Sequence, residues 1–499
     1  MENTGRIKKH ILPEIRDILY RSSSSEEELL QELHITAKIN KAHILMLAEQ
    51  NIISRSRAQR IVDAVLRMED DCYRDVLDSP MFRGLYMAYE EGLIKRIGLD
   101  DAGYLQFGRS RNDLKVCVLK IQLRTPLMLL LERMHELIEL LIEKAREYRD
   151  CILPVYTHYQ PAVPISYGHY LTGFAFSILR SAEQIQNLLE TDLSICPLGA
   201  CAVGGTTLPI HPGRTAELLG FSAPLNNSLE TVASRDFVLR LLAEMSILET
   251  AVSRICEDLL LWTSSDLRFL LLPDELVGGS SIMPNKRNAF MLENIRGRCS
   301  SASGAFSSAL TAMHGEPFTN SIATGTEGVR YVWEPLRTCT DTLFLLICNI
   351  RGAEPNREAM LTRALDGYTL ATEQANFIAM NTTHSFREAH SIIGGMITDA
   401  ENGGKPFSES FRAFLMDELG EDAAAAATEK LLVLDGSYLD IANYGGGPGL
   451  RSMLHQRNLL LDGWKDLCYR LDTVKKRYQT ADETLSRTVE TFLKGGEDE

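Results

Sequence analysis

Residues Val238 to Trp262 read VLRLLAEMSILETAVSRICEDLLLW, and within them Val238, Leu241, Met245, Leu248, Val252, Ile255, Leu259 and Trp262 recur at steps of three and four. A 3.5-residue spacing kept this long marks a helix with one continuous apolar seam. At 1.5 Å per residue the helix would be roughly 40 Å long, longer than most globular helices, so it needs helical partners along its whole length. A seam of this extent is expected to outrun what a single chain covers, which points to an assembly of chains around a shared bundle.

Outward from that segment the pattern repeats. Asp113 to Tyr148 places Leu127, Leu130, Met134, Leu137 and Leu141 on one face, with Pro126 expected to kink the helix. Leu336 to Ile350 is a third apolar stretch, and it follows a Gly-containing region from Gly315 to Gly328. Alternating strand patterns are scarce, so the expected fold is all-α with a long central helix bundle. The helical pattern breaks at Tyr104 to Asp113 (YLQFGRSRND), Pro154 to Ser166 (PVYTHYQPAVPIS) and Val277 to Ala289 (VGGSSIMPNKRNA), all read as loops, as are Glu401 to Ser408 and Tyr444 to Gly449. Loops carry function more often than helices, so the chemistry is sought in the first three.

Composition narrows the field. The 499 residues are 45% apolar and 24% charged, average for a globular protein and large enough for about three domains. With 52 basic and 67 acidic residues the net charge is −15, which repels phosphate backbones and anionic membrane surfaces, so neither nucleic acid nor membrane is an expected partner. Ten scattered cysteines form no C-x-x-C pair and suit reduced intracellular thiols. Met1 to Leu12 lacks the apolar core of an export signal, so a cytoplasmic protein is expected. Cys151 to Leu179 carries no formal charge but contains Pro154, Pro161, Pro164, His158, Gln160 and His169, too polar and too broken for a membrane span.

In Val277 to Ala289, Gly278 and Gly279 supply a mobile backbone, Ser280 and Ser281 hydroxyls, and Lys286 and Asn288 a cation and an amide within reach of one small anion. The segment suits a flap that closes over a carboxylate, and equally a surface loop before a helix. Arg111, between Ser110 and Asn112, offers a guanidinium fork that fits a carboxylate; the same turn could be a helix N-cap with Asp113 paired to a cation. Thr157 and His158 sit in a Pro-bounded loop, where a histidine serves as acid, base or orienter, or is structural.

Taken together these loops resemble one family. Gly279-Ser280-Ser281-Ile282-Met283-Pro284-Asn285-Lys286-Arg287-Asn288 resembles the G-S-S-x-M-P-x-K-x-N signature of the fumarase, aspartase and argininosuccinate lyase superfamily. Gly108 to Asp113 and Thr157 to Ala162 resemble the G-R-S-R-N-D and T-H-x-Q-x-A runs of argininosuccinate lyases, and Pro197-Leu198-Gly199, Gly205-Thr206-Thr207, Ser234 to Phe237 and Phe386 to His390 follow in order. The resemblance spans about residues 25 to 455. It implies three helical domains, taken as 1–112, 113–363 and 364–499, and a homotetramer whose active sites are each shared by three chains. It also implies an anti β-elimination that breaks a C–N bond and releases fumarate, with no metal or organic cofactor. Carried over by position, Ser280 resembles the general base, Lys286 the stabiliser of charge at the carboxylate, and His158 the acid-side group at the leaving nitrogen, oriented by Glu293. Ser110, Arg111, Asn112, Thr157 and Asn288 resemble substrate binders, with Ser281 and Met283 of the flap beside them.

The departures from the family bear on the substrate. Gln106 and Phe107 replace the usual H-T, Leu114 the usual Gln, Ala289 the usual Pro, Tyr86 opens the H-x-x-x-E element that ends at Glu90, and the opening W-G-G-R-F is missing. Where the family carries Tyr, Gln and Lys for the arginine end, Gly315 to Val329 has Asn320 and no lysine. The fumarate-forming half is thus nearly complete and the amine-recognising half altered. Three readings follow: argininosuccinate lyase of arginine biosynthesis; a paralogue in specialised metabolism releasing another amine or guanidine; and a catalytically silent, crystallin-like relative, against which the intact Ser280, Lys286 and His158 argue.

Overall fold

A computed structural model describes residues 25–79 and 84–495, together with Leu12, Glu14, Ile15 and Ile18. Apart from Leu12, the segment read above for an export signal lies outside the described residues. The chain is helical almost throughout, and its strands are confined to three two-stranded ribbons among the described residues.

The long helices of the N-terminal part, among the described residues, are α1 (Glu26–Glu49), α2 (Arg55–Asp70) and α3 (Leu85–Ile97). Ser25 starts α1 with a reciprocal cap, its hydroxyl accepting from Glu28 N at 3.2 Å while Glu28 accepts from Ser25 N at 2.8 Å. The long rods are α4 (Arg111–Glu147), α5 (Tyr167–Glu190) and α6 (Asp236–Thr263). The short α7 (Phe290–Arg298) and α8 (Ser301–Met313) precede α9 (Trp333–Gly352). Helices α10 (Ala371–Asn381), α11 (Phe386–Glu401), α12 (Phe407–Leu419) and α13 (Glu421–Leu431) surround a small core of their own around Ile378, Phe411 and Leu415. The last element, α14 (Leu450–Lys494), is 45 residues long.

Every residue of the predicted seam is buried, from Val238, Leu241, Met245 and Leu248 at 0% exposure to Trp262 at 3%. Burying side chains of this size contributes about 2 kcal/mol each relative to leaving them in water. The partners are α5, α7, α8 and α9 of the same chain. The seam is therefore covered without a second chain, contrary to the expectation drawn from its length, because the chain supplies its own parallel apolar faces. What stays open is the other side: Ile247 of α6 is 56% exposed, and α8 buries only Ala302 and Ala309 while Gly304, Ser307, Ser308, Leu310 and Thr311 face outward.

Helix α4 runs through Pro126 as one element. Pro154 to Ser166, expected as a loop, folds instead as a hairpin of β1 (Ile152–Thr157) and β2 (Gln160–Ser166), with Pro154 opposite Pro164 and a bulge between Val155 and Tyr156. Both strands of a two-stranded ribbon are edges, so prolines whose missing N–H would face outward cost no ladder bond. The charge-free stretch from Cys151 to Leu179 thus forms this hairpin and the first half of α5. No helix among the described residues is long and apolar enough to cross a membrane.

Within the bundle core, Glu249 on α6 is 1% exposed; one oxygen accepts from Ala302 N at 3.0 Å, and the other has no partner. That bond takes up a free N–H at the start of α8, where the chain breaks after α7. Burial pushes the Glu249 carboxyl from 4.5 up to about 7, partly opposed by the Ala302 bond. The folded protein therefore keeps a proton that the unfolded chain has released, and this contribution to stability is lost as pH rises through about 7. Urea titrations at pH 5 and pH 8 should show Glu249→Gln gaining stability relative to the parent on going to the higher pH. A pH-independent difference would refute the assignment.

Candidate active site

The sequence-predicted residues gather into three clusters. The first is the start of α4. Ser110 caps the helix, its hydroxyl accepting from Asn112 N at 3.2 Å. Asp113 closes the cap, but its carboxylate, 0% exposed, takes backbone N–H groups instead of a cation: Ser110 at 3.0 Å and Leu114 at 2.9 Å on one oxygen, Cys201 at 2.8 Å and Gly199 at 3.3 Å on the other. Gly199 has φ +111, and a Cβ there would lie 2.9 Å from Pro212, so only glycine brings this N–H to the carboxylate. Burial pushes Asp113 up to about 6 against the pull of those N–H groups. Arg109 is also structural: it is buried and donates to Asn40 Oδ1 at 2.7 Å and Leu105 O at 3.1 Å. The turn thus divides by residue. Arg109 and Asp113 point into the protein, while Arg111 is exposed and makes no ion pair among the described residues. Asn112 donates to Ala202 O at 3.0 Å and accepts from Asn320 at 3.1 Å, which ties the altered segment 315–329 to the α4 terminus.

The flap is the second cluster. Gly278 and Asn288 exchange backbone hydrogen bonds of 2.9 and 2.8 Å, pinching its neck, and Arg287 anchors it to Asp274 and to Leu272 O. Inside, Ser280 Oγ accepts from Met283 N at 3.0 Å and Ile282 N at 3.3 Å, whereas Ser281 points into solvent. Lys286 is exposed and has no ion-pair partner among the described residues; Ile282, Met283 and Phe290 are exposed at 83%, 45% and 43%. The flap runs straight into α7, whose N-cap Ala289 supplies no side-chain acceptor to the free N–H groups of that helix end. Glu293 is exposed on the first turn of α7.

The hairpin tip is the third. Thr157 pairs with Gln160, and His158 and Tyr159 between them have φ 52° and 59°. Two-residue turns of this kind favour Asn and Gly; placing His and Tyr there costs of order 1–3 kcal/mol each and thrusts His158 into solvent beside a 72% exposed Tyr159. Among the described residues no hydrogen bond or ion pair joins His158 to Glu293, or any one of the three clusters to another, within one chain. Sequence reading had Gly199 and Arg235 only as members of family-like runs, and it missed Cys201, which holds Asp113 through its backbone N–H, and Asn40, whose side chain accepts from Arg109.

All ten cysteines are unpaired, and among the described residues no group of three or more His, Cys, Asp or Glu is placed to hold a metal ion.

A family model described as Lyase matches residues 13–304. In fold, an EDDS lyase solved with formate aligns at TM-score 0.82 and 24% identity, over 97% of this chain and 99% of that one. A class II fumarase from Schistosoma mansoni gives 0.67 at 19% identity, over 81% and 89%. The architecture is that of the all-α fumarase and aspartase lyases. In sequence, the chain is 35% identical to the argininosuccinate lyase of Streptococcus uberis over 408 residues, 80% of this chain and 85% of the relative. It is 29% identical to that of Methanosarcina acetivorans over 491 residues, 97% of each. The chain belongs to the argininosuccinate lyase family and is a carbon–nitrogen lyase.

The clamp at Asp113 carries a direct consequence. Asp113→Ala leaves four N–H groups without their acceptor, and the expected loss in urea denaturation is about 3 kcal/mol. A loss below about 1 kcal/mol would mean that the turn from Gly199 to Cys201 is held by other contacts.

Proposed function

We propose that this chain eliminates an amine or guanidine from an N-substituted aspartate and releases fumarate. The observation that carries this reading is Ser280 Oγ, which has two backbone N–H donors aimed at it. A serine is a poor base in water; N–H groups that would stabilise its alkoxide, with the uncapped end of α7 and Lys286 nearby in sequence, supply the missing help. Ser280 takes the proton from the carbon next to the carboxylate, the C–N bonding pair moves to nitrogen, and His158, oriented by Glu293, protonates the departing amine. Lys286 and Asn288 hold the extra charge that builds on the carboxylate, and Thr157, Ser110, Arg111, Asn112, Ser281 and Met283 bind the substrate around it.

This assignment needs clusters that no hydrogen bond or ion pair among the described residues joins within one chain, and the outward faces of α6 and α8 suit helix packing against other copies. We therefore read the protein as a cytoplasmic homotetramer with shared sites and three domains at 1–112, 113–363 and 364–499. Argininosuccinate is the first candidate substrate, in arginine biosynthesis. A different leaving group is favoured by one specific observation: the segment 315–329 contains no lysine, and Arg330 beside it is paired with Glu327 at 3.1 Å.

Fumarate absorbance with argininosuccinate, and then with a panel of N-substituted aspartates, tests the reading. We expect kcat/KM on argininosuccinate below about 10⁴ M⁻¹s⁻¹ and a higher value on another member of the panel. Ser280→Ala should abolish turnover while substrate binding stays within about tenfold; fumarate from no substrate, or full activity without the Ser280 hydroxyl, would overturn the proposal. Sedimentation should give a tetramer at micromolar concentration, and a stable monomer would sink the shared-site assignment.

A further inference from the structure

Where the C-terminal end of α4 meets the first turns of α14, the surface opens into a cavity of about 120 Å³. Its apolar floor is Ile142 and Ala145 of α4 with Met453 and Leu460 of α14, all buried. Three arginines stand in its wall: Arg146, Arg149 and Arg457. None of them forms a hydrogen bond or ion pair among the described residues. The nearby acids do not answer them. Glu147 accepts from Lys144 at 3.0 Å and Asp150 from Arg357 at 3.0 Å, while Glu139 and Glu143, which line an adjoining cavity beside Arg146, pair with none of the three.

Two of these cations have a structural reason to be there. Arg146 lies in the last turn of α4 and Arg149 just beyond it, where the negative end of a helix favours positive charge. Arg457 has no such reason: it stands toward the opposite, positive end of its own helix, half-buried, with its Nε enclosed and without an acceptor. An enclosed guanidinium N–H left unpaired costs free energy that a bound acceptor restores. Arg457 and Arg146 line both cavities, so one anion seated between them meets both guanidinium groups.

We propose that this cavity binds a small apolar carboxylate. The carboxylate pairs with Arg457 and Arg146, whose planar forks match its two oxygens, and Arg149 adds charge at the rim. The hydrocarbon body lies on the floor between α4 and α14. A dry apolar cavity of similar size, about 150 Å³, holds one benzene, so the body that fits is about five carbons long. None of these residues belongs to the flap, the hairpin tip or the start of α4, and the inference is independent of the lyase reading.

Calorimetric titration of the full-length protein with hexanoate tests it, with acetate and inorganic phosphate as anions lacking the body and hexanol as the body lacking the charge. Hexanoate should bind with a Kd below about 1 mM, and each of the other three at least about tenfold more weakly. Arg457→Gln should weaken hexanoate binding about tenfold or more. Arg146→Gln, on an exposed side chain, and Leu454→Trp, which lays a ring across the floor from its half-exposed wall with all three arginines intact, should do likewise. They serve if Arg457→Gln fails to fold. No binding of hexanoate, equal affinity for any of the three controls, or an affinity unchanged in Arg146→Gln and Leu454→Trp overturns the proposal.

Discussion

Asp113 sits where fold and site meet. One carboxylate oxygen closes the first turn of α4 and the other holds the N–H groups of Gly199 and Cys201, so a group that would be costly to desolvate alone is satisfied by four donors. Because those donors come from two places 86 and 88 residues apart in sequence, the start of the 37-residue helix and the turn beneath it are fixed as one body. Arg111 and Asn112 project from that body, and Asn320 is positioned by Asn112. The segment 315–329, proposed above as the amine side, is therefore tied to a carboxylate enclosed by backbone N–H groups.

Much of the fold was legible because the long helices announce themselves: the seam of α6 needs only a 3.5-residue count, and Ser110 with Asp113 is a helix start by residue type alone. The hairpin was not legible, since its prolines mimic a loop and become strand residues only where both strands are edges. Nor was the covering of the α6 seam, because periodicity reports that a face is apolar but not which helix lies against it. At the site, residue type identified Ser280, Lys286 and His158 as chemistry-bearing, while the environment that would make each reactive lies in backbone N–H groups and positive φ angles that sequence does not display.

The three clusters share a physical style. Each presents its reactive group on a rigid support with apolar or strained neighbours turned outward: Ile282 and Met283 on the pinched flap, Tyr159 at the hairpin tip, Arg111 at a capped helix start. Such surfaces are wasteful on an isolated chain. In the shared site proposed above, charge, hydroxyl and imidazole would come together with water excluded, where each electrostatic interaction gains strength.

Helix α14 spans both large cores, giving Leu460, Leu467 and Leu471 to the bundle and Leu485 and Val489 to the cluster around α1 and α2, and its Asp482 pairs with Lys38, 444 residues earlier. The N-terminal helices therefore cannot complete their core as they leave the ribosome. At usual synthesis rates they wait roughly 20–90 s for α14, with part of their apolar surface bare. Closing so long a loop adds little to the equilibrium cost but much to the folding time.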